Sequence, residues 1–195
     1  MEDGTIITLN KNSRLSYSDK YGKDSRNVKL EGEAYFEVSK TGQPFIVNAN
    51  GMQVEVLGTT FNISAYPNEE YQTTLVNGSV RVSAEKGESL ILKPSQQATI
   101  ALGSNSIQVR TVDTSFYTSW VKGKINFKDQ RLEDIMKTLS RWYDMNVVYE
   151  NEKLKNIRFG CNLNRYEEIT PFVKLLEKTE EVHVKIEGNT ITFHN

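Results

Sequence analysis

The chain has 195 residues, of which 37% are hydrophobic and 25% charged, and its formal net charge is −1. This composition is typical of a globular protein and excludes disordered and membrane-spanning classes. The charges are also evenly spread: the first 112 residues hold 11 basic and 12 acidic side chains, and the remainder holds 13 of each. Because phosphate binding requires a basic excess, nucleic acid is excluded as a partner.

Residues 4–112 have the pattern of consecutive short strands with no helical periodicity. Turn-forming pairs separate them: Asn50-Gly51, Pro67-Asn68, Asn77-Gly78, Lys86-Gly87 and Gly103-Ser104. The pair Asn77-Gly78 is the strongest of these and predicts a two-residue hairpin, because both residues tolerate positive φ. We therefore expect residues 1–112 to form an all-β antiparallel domain, either sandwich-like or solenoid-like.

The pattern changes in residues 113–195. An amphipathic helix is predicted after an N-cap at Asp129, with Leu132, Ile135, Met136, Leu139 and Tyr143 on one face. A second helix has Pro171 in its first turn and an inward face of Ile169, Phe172, Val173 and Leu176. The chain ends in a predicted hairpin that turns at Gly188-Asn189. The predicted order is β-α-β-β-α-β-β, a small α+β domain.

Three carboxylates alternate along one predicted strand, Glu31, Glu33 and Glu37. Paired carboxylates can act as acid and base when they face each other across a cleft and their pKa values differ. Here they share one face of a strand whose other face is apolar, which favours a solvated sheet surface. We therefore predict no catalytic role and no metal at these residues.

The remaining candidate groups also favour structural roles. His183 and His194 have no third ligand nearby in the sequence, so a surface role is expected rather than metal binding. The only cysteine, Cys161, lies beside Phe159 in a strand-like run and is expected to behave as a small hydrophobe. No glycine-rich phosphate loop occurs. The sequence predicts no enzyme activity, no cofactor and no metal.

Aromatic side chains cluster around the first predicted helix: Trp142 and Tyr143 near its end, and Tyr149 in the following strand. Such a cluster is either a sugar platform or a contact between helix and sheet, and the second is the more common arrangement. A carbohydrate-binding β-protein is the alternative function that this cluster leaves open. A third possible function is that of an assembly module that forms rings.

Several motifs resemble a known family. LEGEAYFEV, VLGTTFNI, TTLVNGSV and LKPSQQATI resemble the periplasmic domain of FecR-type anti-sigma factors over residues 4–112. The segment beginning SWVKGKINF is similar to the small C-terminal domain that follows FecR domains, which is itself similar to the secretin/TonB N-terminal (STN) fold. The resemblance supports the division into residues 1–112 and 113–195.

The resemblance implies a signal relay in a Gram-negative bacterium. The periplasmic signalling domain of a TonB-dependent outer-membrane receptor contacts the protein, which controls an extracytoplasmic-function sigma factor. In the family, a single inner-membrane span and a cytoplasmic segment carry the sigma-factor contact, and neither occurs in this chain. We therefore expect this chain to be a periplasmic region that is a monomer until the signalling domain of the receptor binds to it. We expect it to reach the membrane only through the anchor that is missing from this chain.

The predicted partner-binding residues lie at the end of the chain. A small sheet leaves an edge strand with unpaired N–H and C=O groups, and an extended segment of a partner can pair with that edge. The terminal strand is predicted to be such an edge: Thr190, Ile191, Thr192, Phe193 and His194. Residues 146–149 are the second choice.

Overall fold

The computed structural model describes residues 1–23 and 25–195. The protein is mostly β, and its contacts divide it into two compact units, Met1–Val121 and Lys122–Asn195. Residues 113–121, which the predicted boundary assigns to the second domain, lie in the first unit. Within the described residues no helix has both the length and the apolar character required to cross a bilayer.

The described residues of the first unit form eleven strands in one curled sheet. The strands are β1 (Ile6–Leu9), β2 (Arg14–Tyr17), β3 (Arg26–Glu37), β4 (Phe45–Ala49), β5 (Met52–Val56), β6 (Thr60–Ala65), β7 (Tyr71–Asn77), β8 (Val80–Ala84), β9 (Ser89–Leu92), β10 (Gln96–Ile100) and β11 (Gln108–Thr111). Their main order is β11-β10-β7-β6-β3-β4-β5-β8-β9, and β1 and β2 also pair with β3. A short helix, α1 (Thr114–Thr118), and a 3₁₀ helix, Ser119–Lys122, follow β11.

The long strand β3 organises this unit. Its apolar residues alternate inward, and Leu30, Ala34 and Phe36 are fully buried in the core. Its first half pairs with β2 and β4, and its second half pairs with β1 and β6. The sheet therefore has two parts joined through one strand, with the core on their common inner side.

The prediction of a wholly antiparallel domain is wrong for one pair. Strand β4 runs parallel to β3, with Arg26 opposite Phe45. The connection after β3 returns the chain to the start of that strand instead of forming a hairpin, and the Arg26 guanidinium donates to the carbonyl groups of Ser39 and Gln43 within it. A buried side chain thus holds the crossover that makes the pair parallel.

The hairpin predicted at Asn77-Gly78 is also wrong. Strand β7 pairs with β6 and β10, whereas β8 pairs with β5 and β9, so the chain passes there from one part of the sheet to the other. Gly78 has φ +99°, and a Cβ at this position would lie 2.9 Å from Thr59 Oγ1. Gly78 therefore allows the chain to make a tight corner at this point. A two-residue hairpin does form at Asn50-Gly51, where both residues have positive φ.

The second unit contains two helices and two small sheets. Its elements are β12 (Lys124–Arg131), α2 (Leu132–Tyr143), β13 (Asn146–Tyr149), a 3₁₀ helix (Glu152–Asn156), β14 (Arg158–Asn164), α3 (Thr170–Glu177), β15 (His183–Glu187) and β16 (Thr190–His194). Strands β12 and β14 form a ribbon, and the other three form a sheet in the order β13-β16-β15.

Local sequence signals locate both helices of this unit. Leu132, Ile135, Met136 and Leu139 of α2 are buried as predicted, but the fifth buried residue is Trp142, whereas the predicted Tyr143 is only half-buried. Pro171 lies in the first turn of α3. The predicted N-cap is wrong, because Arg131 occupies that position without a side-chain cap. Asp129 instead has φ +50° in an irregularity of the β12–β14 pairing. Its backbone is therefore used to bend the ribbon.

Candidate functional site

The predicted terminal edge strand is not an edge. Strand β16 lies in the centre of the three-stranded sheet, parallel to β13 on one side and antiparallel to β15 on the other. The chain end is covered because β13 comes from an earlier part of the sequence, which strand order along the chain does not reveal. Contact between a partner and Thr190–His194 remains a prediction, but its original reason no longer holds.

The two faces of this sheet differ in accessibility. Ile191 and Phe193 of β16 are fully buried, and the Tyr149 ring stacks on Phe193 with centroids 5.3 Å apart. Burial raises the pKa of the Tyr149 hydroxyl above its usual range, and the nearby carboxylates of Glu133 and Asp134 raise it further. The face that carries Ile191 and Phe193 is therefore the inner face of the sheet. The opposite, outer face carries the polar residues that alternate with them.

The outer face carries the two histidines. His183 and His194 are directly opposite in the β15–β16 pairing, with ring centroids 5.5 Å apart. Lys185 and Glu187 lie on the same face and form an exposed ion pair of 2.9 Å. Among residues 1–23 and 25–195, no group of three histidine, cysteine or acidic side chains could hold a metal ion.

The edges of the sheet are β13 and β15. Strand β15 is the more open, because four of its five residues are exposed. Beside β13, the ammonium group of Lys155, in the 3₁₀ helix Glu152–Asn156, lies 5.4 Å from the centroid of the Tyr149 ring. By the exposure of its residues, β15 is therefore the more accessible of the two edges.

The aromatic residues near α2 do not form an open platform. Trp142 is buried, and the guanidinium of Arg165 lies 5.3 Å from its ring centroid. The hydroxyl of Tyr143 donates to the carbonyl of Glu167. Cys161 lies opposite Phe127 in the β12–β14 ribbon, and burial raises the pKa of its thiol to about 11. At neutral pH this thiol is protonated and weakly reactive.

The expectation of a solvated face fails for one of the three carboxylates. Glu31 and Glu37 are exposed, as predicted. The Glu33 carboxylate instead accepts hydrogen bonds from the amides of Asn10 and Asn62, at 2.7 and 2.9 Å. Those two donors are buried. Glu33 is therefore part of a structural network that strand alternation alone could not distinguish from a wet surface.

This network continues across the sheet as a polar ladder, defined as Asn62, Thr74, Gln97 and Arg110. The amide of Gln97 donates to Thr74 at 2.8 Å, and Arg110 donates twice to Gln97 Oε1. Asn62, Thr74 and Gln97 are at most 2% exposed. A face that looks solvent-exposed in the sequence is therefore dry.

The segment after β11 contacts this ladder. The Trp120 indole N–H donates to Asn62 Oδ1 at 3.2 Å, and Arg110 donates to the Tyr117 hydroxyl at 3.0 Å. Trp120 itself is buried. Asp113 caps α1 by accepting from the backbone N–H of Ser115. Hydrogen bonds thus attach the end of the first unit to its own sheet.

A second buried polar cluster surrounds Arg26, whose side chain is almost fully buried. Its guanidinium donates to Asp3 at 2.9 Å, and Asp3 also accepts from Thr5 and Tyr21. Burial of the Asp3 carboxylate raises its pKa, but the hydrogen bonds from Arg26, Thr5 and Tyr21 outweigh that effect and lower it to about 2. Burial and the hydrogen bond to Asp3 raise the pKa of Tyr21 to about 12. The sequence offered no signal for this cluster beyond the hydrophobic residues around Arg26.

Two family models match the chain in succession. Residues 1–81 match the model described as FecR protein, and residues 124–193 match the model described as FecR, C-terminal. Together these matches cover well over half of the sequence. The chain belongs to the FecR family. The FecR match lies within the first unit, and the FecR C-terminal match lies within the second.

Solved structures share the fold of this FecR protein. Two crystal structures of a proposed anti-sigma factor from Parabacteroides distasonis ATCC 8503 match it with TM-scores of 0.86 and 0.85. Each match has 24% sequence identity and covers 99% of this chain and 91% of that chain. At this identity the comparison shows a common fold. No curated protein matches the sequence.

Proposed function

We propose that this FecR protein is the periplasmic sensing region of a membrane-anchored anti-sigma factor. The observation that carries the proposal is the succession of a FecR match and a FecR C-terminal match in one chain. The protein of Parabacteroides distasonis, described as a proposed anti-sigma factor, has the same fold over nearly the whole chain. The proposed role is regulation through protein contacts, without catalysis or a cofactor.

The proposed relay begins at a TonB-dependent outer-membrane receptor. Its periplasmic signalling domain contacts this chain, which responds as a monomer, and a membrane span and cytoplasmic segment outside the chain reach an extracytoplasmic-function sigma factor. We assign the receptor contact to residues 113–195, the proposed C-terminal domain, whose helices and strands we compare to the STN fold. The buried aromatic cluster around Trp142 gives no support to the carbohydrate-binding alternative.

Within that domain we assign the receptor contact to the β15 edge, in place of the terminal strand. Glu187 and Thr190 close a two-residue turn, so they form a hydrogen-bonded pair, and the next such pair is Lys185 with Thr192. The backbone N–H groups of Val184 and Ile186 then point away from β16. These groups can pair with an added strand.

The test is calorimetric titration of the chain with the purified signalling domain of the TonB-dependent receptor encoded beside its gene. We expect one-to-one binding. Ile186→Pro removes an outward N–H and should weaken binding by about tenfold or more, since at least one backbone hydrogen bond is lost. Ile186→Ala retains that N–H and is the matched control. Its loss of affinity should be clearly smaller.

Two results would overturn the assignment. If the wild-type chain does not bind the receptor domain, the proposed relay fails for this receptor. If binding survives in a folded Ile186→Pro variant, the β15 edge is not the contact. Thr192→Pro should instead unfold the second unit, because its N–H is used in native pairing with Lys185.

A further inference from the structure

A cleft on the first unit has features of a binding site that the proposed receptor contact does not use. It has a volume of about 590 Å³ and is open to solvent. Its walls come from the end of β5, the loop after β3, and the outer face of β8 and β9. The residues that matter for its chemistry are Lys40, Glu55, Leu57, Gly58, Arg81 and Ile91.

The cleft has glycine in its lining where a side chain could not fit. A Cβ at Gly58 would overlap the Lys40 side chain, and a Cβ at Gly78 would lie 2.9 Å from Thr59 Oγ1. Glycine at residue 58 therefore lets the aliphatic part of Lys40 lie against the backbone. This close approach places the first carbons of the Lys40 side chain against the wall of the cleft.

The charges around the cleft are unbalanced. Arg81 reaches Glu55 only at 3.8 Å, and both side chains are substantially exposed. Lys40 has no side-chain ion pair or hydrogen bond among the described residues. The charged residues that line the cleft are therefore two cations and one carboxylate, and this excess of positive charge suits the cleft to one additional carboxylate.

Apolar side chains flank these charges. Leu57 and Ile91 are 58% and 60% exposed and both line the cleft. A single exposed aliphatic residue needs no explanation, but two beside one cleft offer apolar area to a ligand. Enclosed small-molecule sites bury most of their ligand, whereas this open cleft suits side chains of a longer chain.

We infer that this cleft binds an extended protein segment in which an aspartate or glutamate stands next to an aliphatic residue. The carboxylate contacts Lys40 and Arg81, and the aliphatic side chain packs against Leu57 and Ile91. The site goes beyond the proposed function, because it lies on the first unit and does not require the β15 edge. Alone it binds weakly, because exposed ion pairs contribute little. A partner that is already bound elsewhere on the protein would gain affinity from this site, because its effective concentration at the cleft is high.

The experiment is a nuclear magnetic resonance titration of the ¹⁵N-labelled full chain with an acetylated, amidated leucine–glutamate–leucine peptide at millimolar concentration. Amide shifts should concentrate at Gly42, Gly58 and Ser79. A matched peptide with glutamine in the centre should bind up to about fivefold more weakly, the value of one exposed ion pair. A peptide with lysine in the centre should cause no shifts at these amides.

Variants test the residues directly. Lys40→Glu and Arg81→Glu should each remove the preference for the glutamate peptide, whereas Lys29→Glu, an exposed residue of β3 outside the cleft, should retain it. Lys40→Gln provides a milder change if charge reversal disturbs folding. Absence of shifts with the wild-type chain, shifts located elsewhere, or equal affinity for the glutamate and glutamine peptides would each overturn the inference. Receptor binding, measured separately, stays intact in any of these cases.

Discussion

Two sheet faces of this FecR protein look alike in sequence and differ in the structure. The outer side of β6, β7 and β10 and the outer side of β15 and β16 both carry alternating polar residues. The first is dry at Asn62, Thr74 and Gln97, whereas the second exposes His183, Lys185 and Glu187. Strand alternation shows which residues share a face, but whether that face meets water depends on what lies over it.

The same contrast applies to two ion pairs of equal length. Asp3–Arg26 in the first unit and Lys185–Glu187 in the second are both 2.9 Å long. The side chains of the first pair are 10% and 1% exposed, and those of the second are 61% and 71% exposed. Removing one partner of a buried pair leaves an uncompensated charge, whereas an exposed partner is rehydrated.

Replacing Asp3 gives the largest expected effect. Asp3→Ala should lower the free energy of unfolding by about 3 kcal/mol, because Arg26 remains buried without its carboxylate. Denaturant unfolding measures the change. Glu187→Ala is the matched control from the exposed pair and should leave the unfolding midpoint unchanged. Equal effects in the two variants would contradict the distinction drawn from burial.

Two carboxylates on β3 sharpen the comparison within a single strand. Glu33→Ala should cost about 2 kcal/mol, because the buried amides of Asn10 and Asn62 lose their acceptor. Glu37→Ala on the same face should change stability by no more than about 0.5 kcal/mol, as expected of an exposed residue. Paired denaturation curves test this, and a Glu33 variant as stable as the Glu37 variant would show that the network is solvated.

The attachment of the segment after β11 depends partly on one indole. Trp120→Phe keeps most of the buried ring but removes the donor to Asn62, so we expect a loss of about 1 kcal/mol. Hydrogen exchange in residues 114–121 should become faster. Tyr117→Phe removes only an exposed hydroxyl contact and should have a smaller effect. Unchanged exchange in the Trp120 variant would mean that apolar contact alone holds the segment.

The smallest expected effect is the loss of folding stability near pH 4, where Asp3 begins to lose its contribution. The folded-state pKa of Asp3 is lowered from 3.8 to about 2, so its contribution is complete above the unfolded pKa and is lost as pH falls toward 2. The loss should be a few tenths of a kcal/mol at pH 4 and grow below it. The stability difference between the wild type and Asp3→Asn, measured by denaturation at each pH, should narrow over this range. A constant difference would contradict the lowered pKa.

Local patterns predicted much of the secondary structure. Four of the five residues predicted for the apolar face of α2, the first-turn Pro171 and the turn at Gly188-Asn189 were correct, because each depends on residues close in the chain. The helix α1 was missed because five residues are too few to show helical periodicity.

The sequence by itself determined the local elements, the family resemblance and which residues alternate on each strand. Only the tertiary structure decided how distant strands pair: Asn77-Gly78 became a corner, β4 became parallel to β3, and the chain end entered the middle of a sheet. The physical reason is that backbone pairing and burial depend on neighbours remote in sequence. Those neighbours also decide whether a carboxylate such as Glu33 is hydrated or held in a dry network.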